Sequence, residues 1–165
     1  MKVVADTGPL LAAANSRDKA HRLAAALVTE LGRDLVVLDV VLVEVDQLLR
    51  ARVHRRAAAH FLQAMVDGEH QVAFLSQGLL KRAVEIDTKF SALDLGLVDA
   101  SVMAYAERHD LPVFTFDFND FRAAPPASGY WKLVVDESGY AKGTAGAADH
   151  KRHLQEPDQG GRTGA

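Results

Sequence analysis

The sequence contains no cysteine and no long apolar run, and these two absences exclude several classes of protein. Without cysteine, neither a disulfide framework nor a thiolate metal site is available. No apolar stretch approaches the roughly 18 residues that span a bilayer, and the N-terminus lacks the pattern of a signal peptide. We therefore expect a cytoplasmic protein without membrane association.

Basic residues are not in excess either. The chain has 19 Lys and Arg against 22 Asp and Glu, which gives a formal net charge of -3. This balance argues against a nucleic-acid binder that works by bulk positive charge, although it is compatible with a local basic groove. A content of 48% hydrophobic and 25% charged residues over 165 positions indicates one compact domain with a proper core.

Short apolar runs alternate with helical patterns along most of the chain. The runs are rich in β-branched residues and predict strands at residues 3–5, 35–38 and 71–75, at Val113 up to Asp117, and at 131–135. The helical spacing of apolar residues predicts helices from Pro9, over 16–31, 40–52 and 53–68, from Ser76, and over 92–107. Strands that alternate with helices indicate βαβ units, and therefore an α/β fold with a parallel sheet.

The C-terminal part of the chain has a different composition. From Ala141 onward there are five glycines, repeated charges and only Leu154 as a large apolar residue. Such a segment has too little apolar surface to form a core. We predict a folded domain over residues 1–138 and a flexible tail over 139–165.

Two acids follow directly after predicted strands. Asp6 ends the apolar run Val3–Ala5, and Asp117 ends the run that begins at Val113. Because ligands of parallel sheets bind at the carboxyl ends of the strands, an acid there is a candidate site residue. For Asp6 the alternative is a residue that only caps the following helix, and this stretch alone leaves both interpretations open.

Further acids lie on or beside the apolar faces of predicted helices. Glu44 is on or next to the face formed by Val41, Val45 and Leu48, where an ionised carboxylate is rare unless it is paired or binds a metal. Asp99 falls in the first turn of the 92–107 helix, with Asp94 just before it. The helix dipole favours carboxylates at that end, so a capping role for these two residues also stays open.

Four acids thus come from comparable places, namely two strand ends, one helix start and one inward helix face. Unpaired carboxylates that converge repel one another and raise their own pKa values, and a hard divalent cation is the usual compensation. Oxygen ligands favour Mg²⁺ or Mn²⁺, and the seven histidines lack the spacing of a zinc site. Such an ion would activate water for phosphoester hydrolysis.

The motifs around these acids resemble a known family. In chain order they are Val-Ala-Asp6-Thr7-Gly8-Pro9-Leu10, Leu42-Val-Glu44-Val, Leu97-Val-Asp99-Ala-Ser-Val-Met-Ala and Phe114-Thr115-Phe-Asp117-Phe-Asn-Asp120-Phe121. Together they resemble a PIN domain, in particular the VapC-type toxins of prokaryotic toxin–antitoxin pairs, over Met1 to about Glu137. One departure is Asp39, near the position where such toxins often carry Thr or Ser.

The resemblance implies a three-layer α/β/α sandwich around the parallel sheet and a Mg²⁺-dependent endoribonuclease, with Mn²⁺ as a possible substitute. The implied catalytic and metal-binding residues are Asp6, Glu44, Asp99 and Asp117, with Asp94 as an accessory acid and Thr7 and Thr115 as polar supports. It also implies an RNA substrate and an antitoxin protein as partner. Apolar helix faces next to the site lead us to expect a homodimer.

Other functions remain as alternatives. A housekeeping RNA-processing PIN nuclease is the alternative within catalysis, and a catalytically silent PIN-like binding protein is the alternative outside it. The silent protein would be expected to lack one or more acids, and all four are present. The candidate RNA-binding residues are basic residues of the first half of the chain: Arg17, Arg50, Arg52, Arg55 and Arg56.

Overall fold

A computed structural model of the chain describes residues 1–153, and the side chains of residues 1–145. Four strands and eight α-helices alternate along these residues. Their order is β1 (Val3–Ala5), α1 (Thr7–Ala13), α2 (His21–Leu31), β2 (Leu35–Leu38), α3 (Asp39–Arg52), α4 (Arg55–Val66), β3 (Gln71–Ala73), α5 (Gln77–Lys89), α6 (Gly96–His109), β4 (Val113–Phe114), α7 (Phe118–Ala123) and α8 (Glu137–His153). Short 3-10 turns at Gly32–Asp34 and Ser91–Leu93 precede β2 and α6.

The four strands form one parallel sheet with the order β3-β2-β1-β4. β1 pairs with β2 on one side, with Val4 opposite Val36, and with β4 on the other, with Ala5 opposite Phe114. The strand order therefore reverses between β1 and β4. A crevice forms at such a reversal point, outside the carboxyl ends of the two strands, and this is where Asp6 and Asp117 lie.

Helices flank the sheet, so the three-layer α/β/α architecture is confirmed. All residues of β1, β2 and β4 are buried, as expected for parallel strands covered on both faces. The core is completed by apolar residues from the inner faces of the helices, including Val41, Val45, Leu49, Met103 and Phe121. Among the described residues, no helix has the length and apolarity needed to cross a membrane.

Several helices begin at other positions than the sequence predicts, among them α4 at Arg55 and α6 at Gly96, and for α1 and α2 the cause is visible. α1 begins at Thr7 and not at Pro9, because the Asp6 side chain accepts a hydrogen bond from the Thr7 N–H and caps the helix there. α2 begins at His21 and not at residue 16, because the Asp18 side chain accepts the N–H of Ala20 and closes a turn before the helix. In both cases a local side-chain bond to the backbone decides the start of the helix.

Three predicted strands are wrong in extent. β3 ends at Ala73 and not at residue 75. β4 ends at Phe114 and not at Asp117, because the Asp117 N–H turns onto the Thr115 hydroxyl and leaves the ladder. The predicted last strand at 131–135 is reduced to a single parallel bridge between Val113 and Leu133. Residues 131–135 thus lie beside β4 without extending the sheet.

The predicted tail begins inside a helix. α8 spans Glu137–His153 and packs against α2, so the boundary at residue 138 does not separate folded from unfolded chain. Tyr140 supplies the apolar surface that the composition from Ala141 onward lacks, and its ring joins the core. Residues 154–165, with Leu154, lie outside the described residues, and the flexibility predicted for them stays a prediction.

Candidate active site

Asp6 is the buried acid at the reversal point of the sheet. Its side chain follows β1 and is only 5% exposed. One carboxylate oxygen, Oδ1, accepts the Thr7 N–H at 2.7 Å, and the other, Oδ2, accepts the Thr115 hydroxyl at 2.7 Å. Asp6 is therefore a helix cap, and it is also a buried acid fixed at both oxygens.

The Thr115 hydroxyl connects two of the candidate acids. Thr115 is fully buried, donates its hydroxyl hydrogen to Asp6 and accepts the N–H of Asp117 at 2.9 Å. The Asp117 side chain caps α7 by accepting the Asp120 N–H at 3.1 Å. This arrangement fixes the backbone of Asp117 relative to Asp6.

Thr7 makes the corresponding connection to Glu44. Its hydroxyl donates to Glu44 Oε2 at 2.5 Å, from the first residue of α1 to the second turn of α3. Glu44 is half-buried, with Val41 and Val45 of the same helix in the core. The helix thus presents Glu44 at the rim of the crevice, and Thr7 bridges it to the Asp6 carboxylate through its hydroxyl and its N–H.

Asp99 lies in the first turn of α6, and its pKa is raised. Burial raises the pKa of the Asp99 carboxyl to about 7, and the negative charges of Asp6, Asp117 and Glu44 contribute to the same increase. Burial also raises the pKa of Asp6, against the lowering effect of the hydrogen bonds from Thr115 and Thr7. The structure therefore brings the four predicted acids into one mutually repelling group, which we call the acidic group.

Asp120 is a further acid near this group that the sequence analysis did not assign to the site. Its charge contributes to the raised pKa of Asp99, and burial together with the Asp117 charge raises its own pKa. Its spacing, three residues after Asp117 at the start of a helix, was the available signal. Asp94, in contrast, is exposed at a left-handed backbone position (φ 53°) and is not among the four acids that contribute most to the Asp99 shift.

Asp39 is the first residue of α3 and follows β2 directly. Its Oδ1 accepts the N–H of Val40 at 2.9 Å and that of Leu75 at 3.1 Å. The carboxylate therefore joins the start of α3 to the segment that follows β3. A Thr or Ser side chain is shorter than this bridge, so the departure from the family motif has a visible structural role.

The donor atoms of the acidic group suit a hard divalent cation. All are carboxylate oxygens, and the repulsion among them would be relieved by positive charge. Within residues 1–145, however, no three acidic or histidine side chains already approach closely enough to enclose an ion. An open arrangement agrees with Mg²⁺, which keeps several waters and binds through one or two carboxylates plus substrate phosphate.

The five predicted RNA-binding arginines are all exposed, but most of them lie away from the acids. Arg52 ends α3, eight residues after Glu44, which is about 12 Å along the helix axis. Arg55 and Arg56 begin α4 just beyond. Arg50 is paired with Asp46 at 2.9 Å, so part of its charge is already compensated.

Comparison with known proteins places these motifs in a family. The family model described as PIN domain matches residues 3–125. A curated relative, ribonuclease VapC26 of Mycobacterium tuberculosis, is 27% identical over 128 residues, which are 77% of this chain and 95% of the relative. The part that the family model matches, residues 3–125, contains all four predicted acids and ends before α8.

Solved structures share the fold. The M. tuberculosis toxin VapC20, described as cleaving the sarcin-ricin loop, superposes with a TM-score of 0.66 at 22% identity, over 72% of this chain and 92% of VapC20. VapBC2 of Rickettsia felis, bound to a promoter DNA fragment, superposes with a TM-score of 0.57 at 14% identity, over 82% of this chain and 98% of the VapBC2 chain. A chain of a toxin–antitoxin complex of Klebsiella pneumoniae superposes with a TM-score of 0.54 at 19% identity, over 73% of this chain and 90% of that chain.

Proposed function

Since the chain belongs to the PIN domain family, we propose that it is a Mg²⁺-dependent endoribonuclease that acts in the cytoplasm as the toxin of a toxin–antitoxin pair. The observation that carries this proposal is the acidic group at the sheet reversal. Asp6, Glu44, Asp99 and Asp117 repel one another there, and burial raises the pKa of Asp99 to about 7. A protein without a bound cation or a catalytic task gains nothing from such repulsion.

The residues of the crevice have separable tasks in this function. The carboxylates of the acidic group would bind Mg²⁺ or Mn²⁺, which supplies an activated water and neutralises charge on the phosphate. Thr115 and Thr7 orient Asp6 and Glu44 through their hydroxyls. Asp99 would bind the cation in its deprotonated form, so cation binding would lower its raised pKa.

The first prediction is that cleavage of RNA requires a divalent cation. We expect purified protein to cleave a structured RNA with Mg²⁺ or Mn²⁺ and to lose the activity when EDTA exceeds the metal, because the acidic group cannot accept a phosphate without positive charge. The measurement is the rate of product formation on a denaturing gel as a function of free Mg²⁺.

The control for this experiment is addition of excess Mg²⁺ after EDTA, which should restore the rate. Undiminished cleavage in EDTA would refute the metal mechanism. Failure to cleave any RNA, with Mg²⁺ bound, would favour the catalytically silent PIN-like protein over the nuclease.

The toxin assignment rests on the relatives. The curated relative is a ribonuclease, which supports an RNA substrate for this chain. Two of the similar solved structures are a toxin–antitoxin complex and VapBC2, which support an antitoxin protein as its partner. Growth arrest on induced expression, relieved by a co-expressed neighbouring gene product, would separate a toxin from a housekeeping nuclease.

A homodimer is the assembly that the surface supports. Val43 of α3 and Leu97 of α6 are 52% and 48% exposed and line one groove of about 380 Å³ that also contains Glu44. Exposed apolar side chains at a groove indicate an interaction surface. A second copy packed there would cover both residues next to the acidic group.

The second prediction tests this dimer. We expect light scattering to give twice the chain mass for the wild type and the monomer mass for Leu97→Glu, because a charge is costly to bury in an apolar contact. Val66→Glu is the matched control, since Val66 is 79% exposed at the end of α4 and should leave the dimer intact. A monomeric wild type at high micromolar concentration would rule out the assembly.

A further inference from the structure

Asp117 is the most exposed member of the acidic group. Its side chain is exposed, β4 ends three residues before it, and its backbone N–H is bound to one hydroxyl. The residues on either side of it are both phenylalanines. Asp117 caps α7 and Phe118 begins that helix, while the charge of Asp117 acts on Asp6 and Asp99.

Both phenylalanines contact the same tyrosine of α8. The ring of Tyr140 lies 4.8 Å from that of Phe116 and 5.7 Å from that of Phe118. Phe116 in turn packs edge-on against Phe114 of β4 at 5.6 Å. A continuous row of aromatic rings therefore joins the sheet, the segment that carries Asp117, and α8.

The position of Tyr140 is itself fixed by close packing of α8. At Gly143, one turn further along, an added Cβ would lie 2.9 Å from Leu23 Cδ2 of α2, so the absence of a side chain lets the two helices approach. At the start of α8, the Asp136 side chain accepts the Gly139 N–H at 2.6 Å. Lys19 places its ammonium 5.7 Å from the centre of the Tyr140 ring.

α8 lies beyond residues 3–125, the part that matches the family model. The catalytic acids therefore all belong to the family region, whereas the helix that supports one of them does not. An ion pair between Arg122 and Glu137 also connects α7 to α8, but both side chains are more than half exposed, and such pairs contribute little. The aromatic contacts join half-buried rings and are the less exposed part of the connection.

From these contacts we propose that Tyr140 is a positioning residue, and that α8 braces the Phe116–Phe118 segment so that Asp117 stays within the acidic group. The ring acts through Phe116 and Phe118 and touches no acid. Loss of the ring should therefore release Asp117 locally while the sheet and the other three acids stay in place. The effect on cleavage rests on the proposed ribonuclease function, whereas the effect on local order does not.

The test combines amide hydrogen exchange with kinetics. In Tyr140→Ala we expect the N–H groups of Asp117 and Asp120 to exchange about tenfold faster, as expected when two aromatic contacts that oppose local opening are lost. The N–H groups of Val36 and Val37 in β2 should keep their rates. Turnover of RNA should fall about tenfold with KM within about twofold, because only the arrangement of the acids changes.

Two variants serve as controls. Tyr140→Phe keeps the ring and removes the hydroxyl. It should behave as the wild type, because the proposed role needs only the ring. Tyr130→Ala removes a tyrosine that is 75% exposed and should change neither exchange at Asp117 nor turnover. If Tyr140→Ala does not fold, Tyr140→Leu retains apolar volume without the ring and is measured in the same way.

The outcomes separate this proposal from the proposed function. Unchanged exchange at Asp117 and Asp120 in folded Tyr140→Ala or Tyr140→Leu would overturn the brace, as would an equal acceleration at Val36 and Val37, which signals a global loss of stability. Absence of RNA cleavage by the wild type would overturn the ribonuclease function alone. Faster exchange confined to Asp117 and Asp120 would still support the brace in that case.

Discussion

Asp6→Asn is expected to lower RNA cleavage by roughly 100-fold or more, since a bound metal contributes several kcal/mol of charge stabilisation at the transition state. The substitution removes one negative charge from the acidic group and so weakens cation binding. The measurement is the initial rate at saturating Mg²⁺ for the wild type and the variant. Asp46→Asn is the matched control, because Asp46 lies two residues from Glu44 but pairs with Arg50 at the surface.

Stability should respond in the opposite direction to activity. Asparagine retains an oxygen that can accept the Thr7 N–H, and it caps helices about as well as aspartate. Removal of a buried charge that repels its neighbours also favours the folded state. Without metal, the thermal midpoint of Asp6→Asn should equal or exceed that of the wild type. A folded variant that cleaves at the wild-type rate would reduce Asp6 to a helix cap.

The second large effect is a dependence of stability on pH that originates at Asp99. Its pKa is about 7 in the folded protein against an ordinary value of 3.8, so between these limits the folded state binds more protons than the unfolded state. The contribution of Asp99 to the free energy of unfolding is therefore greatest at low pH. It falls as pH rises, with a slope of up to about 1.4 kcal/mol per pH unit. Asp99 is only partly buried, so solvent screens its charge. The total change in the free energy of unfolding between pH 3.8 and about pH 7 is therefore smaller than this slope would give over that range.

Urea unfolding in EDTA at about pH 5 and about pH 7.5 measures this effect. We expect the wild type to lose stability between the two values relative to Asp99→Asn, which carries no titrating group at this position and corrects for the other titrating residues. Mg²⁺ should reverse the trend, because it binds the deprotonated acids and stabilises most at the higher pH. Equal pH dependence in the two proteins would contradict a raised pKa at Asp99.

The placement of the acids could be predicted from local sequence. A short β-branched run that ends on an acid is readable without knowledge of the sheet, and parallel strands bring such acids to one edge. Asp6 and Asp117 were found in this way, and the apolar spacing around Glu44 located it on a core-facing helix. Each of these signals lies within a few residues of the acid itself.

The remaining features depend on contacts between distant parts of the chain. The Thr115 hydroxyl that ends β4 by accepting the Asp117 N–H is itself held by its bond to Asp6, which is 109 residues away. The helix α8 has a composition typical of a flexible segment, and its packing depends on Tyr140 and on the approach of Gly143 to Leu23. Periodicity within one segment contains no information about such partners, so the sequence predicted neither feature.

The neighbourhood of the acids shows the same limit. Asp94 lies five residues before Asp99 along the chain and Asp120 lies 21 residues after it, yet the charge of Asp120 contributes to the raised pKa of Asp99, whereas Asp94 has an exposed side chain at a left-handed turn. Sequence distance alone would rank the two acids in the opposite order. The direction in which each backbone segment leaves its helix decides which carboxylate faces the crevice.

Calorimetric titration of Mn²⁺ into the wild type and Asp6→Asn in the absence of RNA tests the central claim most directly, because it measures whether the acidic group binds a divalent cation independently of any substrate. The wild type is expected to release heat with a saturable isotherm that weakens at about pH 5, where Asp99 is protonated. Asp6→Asn should bind roughly tenfold or more weakly, and Asp46→Asn should match the wild type. Equal binding by all three proteins, or no binding by the wild type, would contradict the assignment of this crevice as a metal-dependent active site.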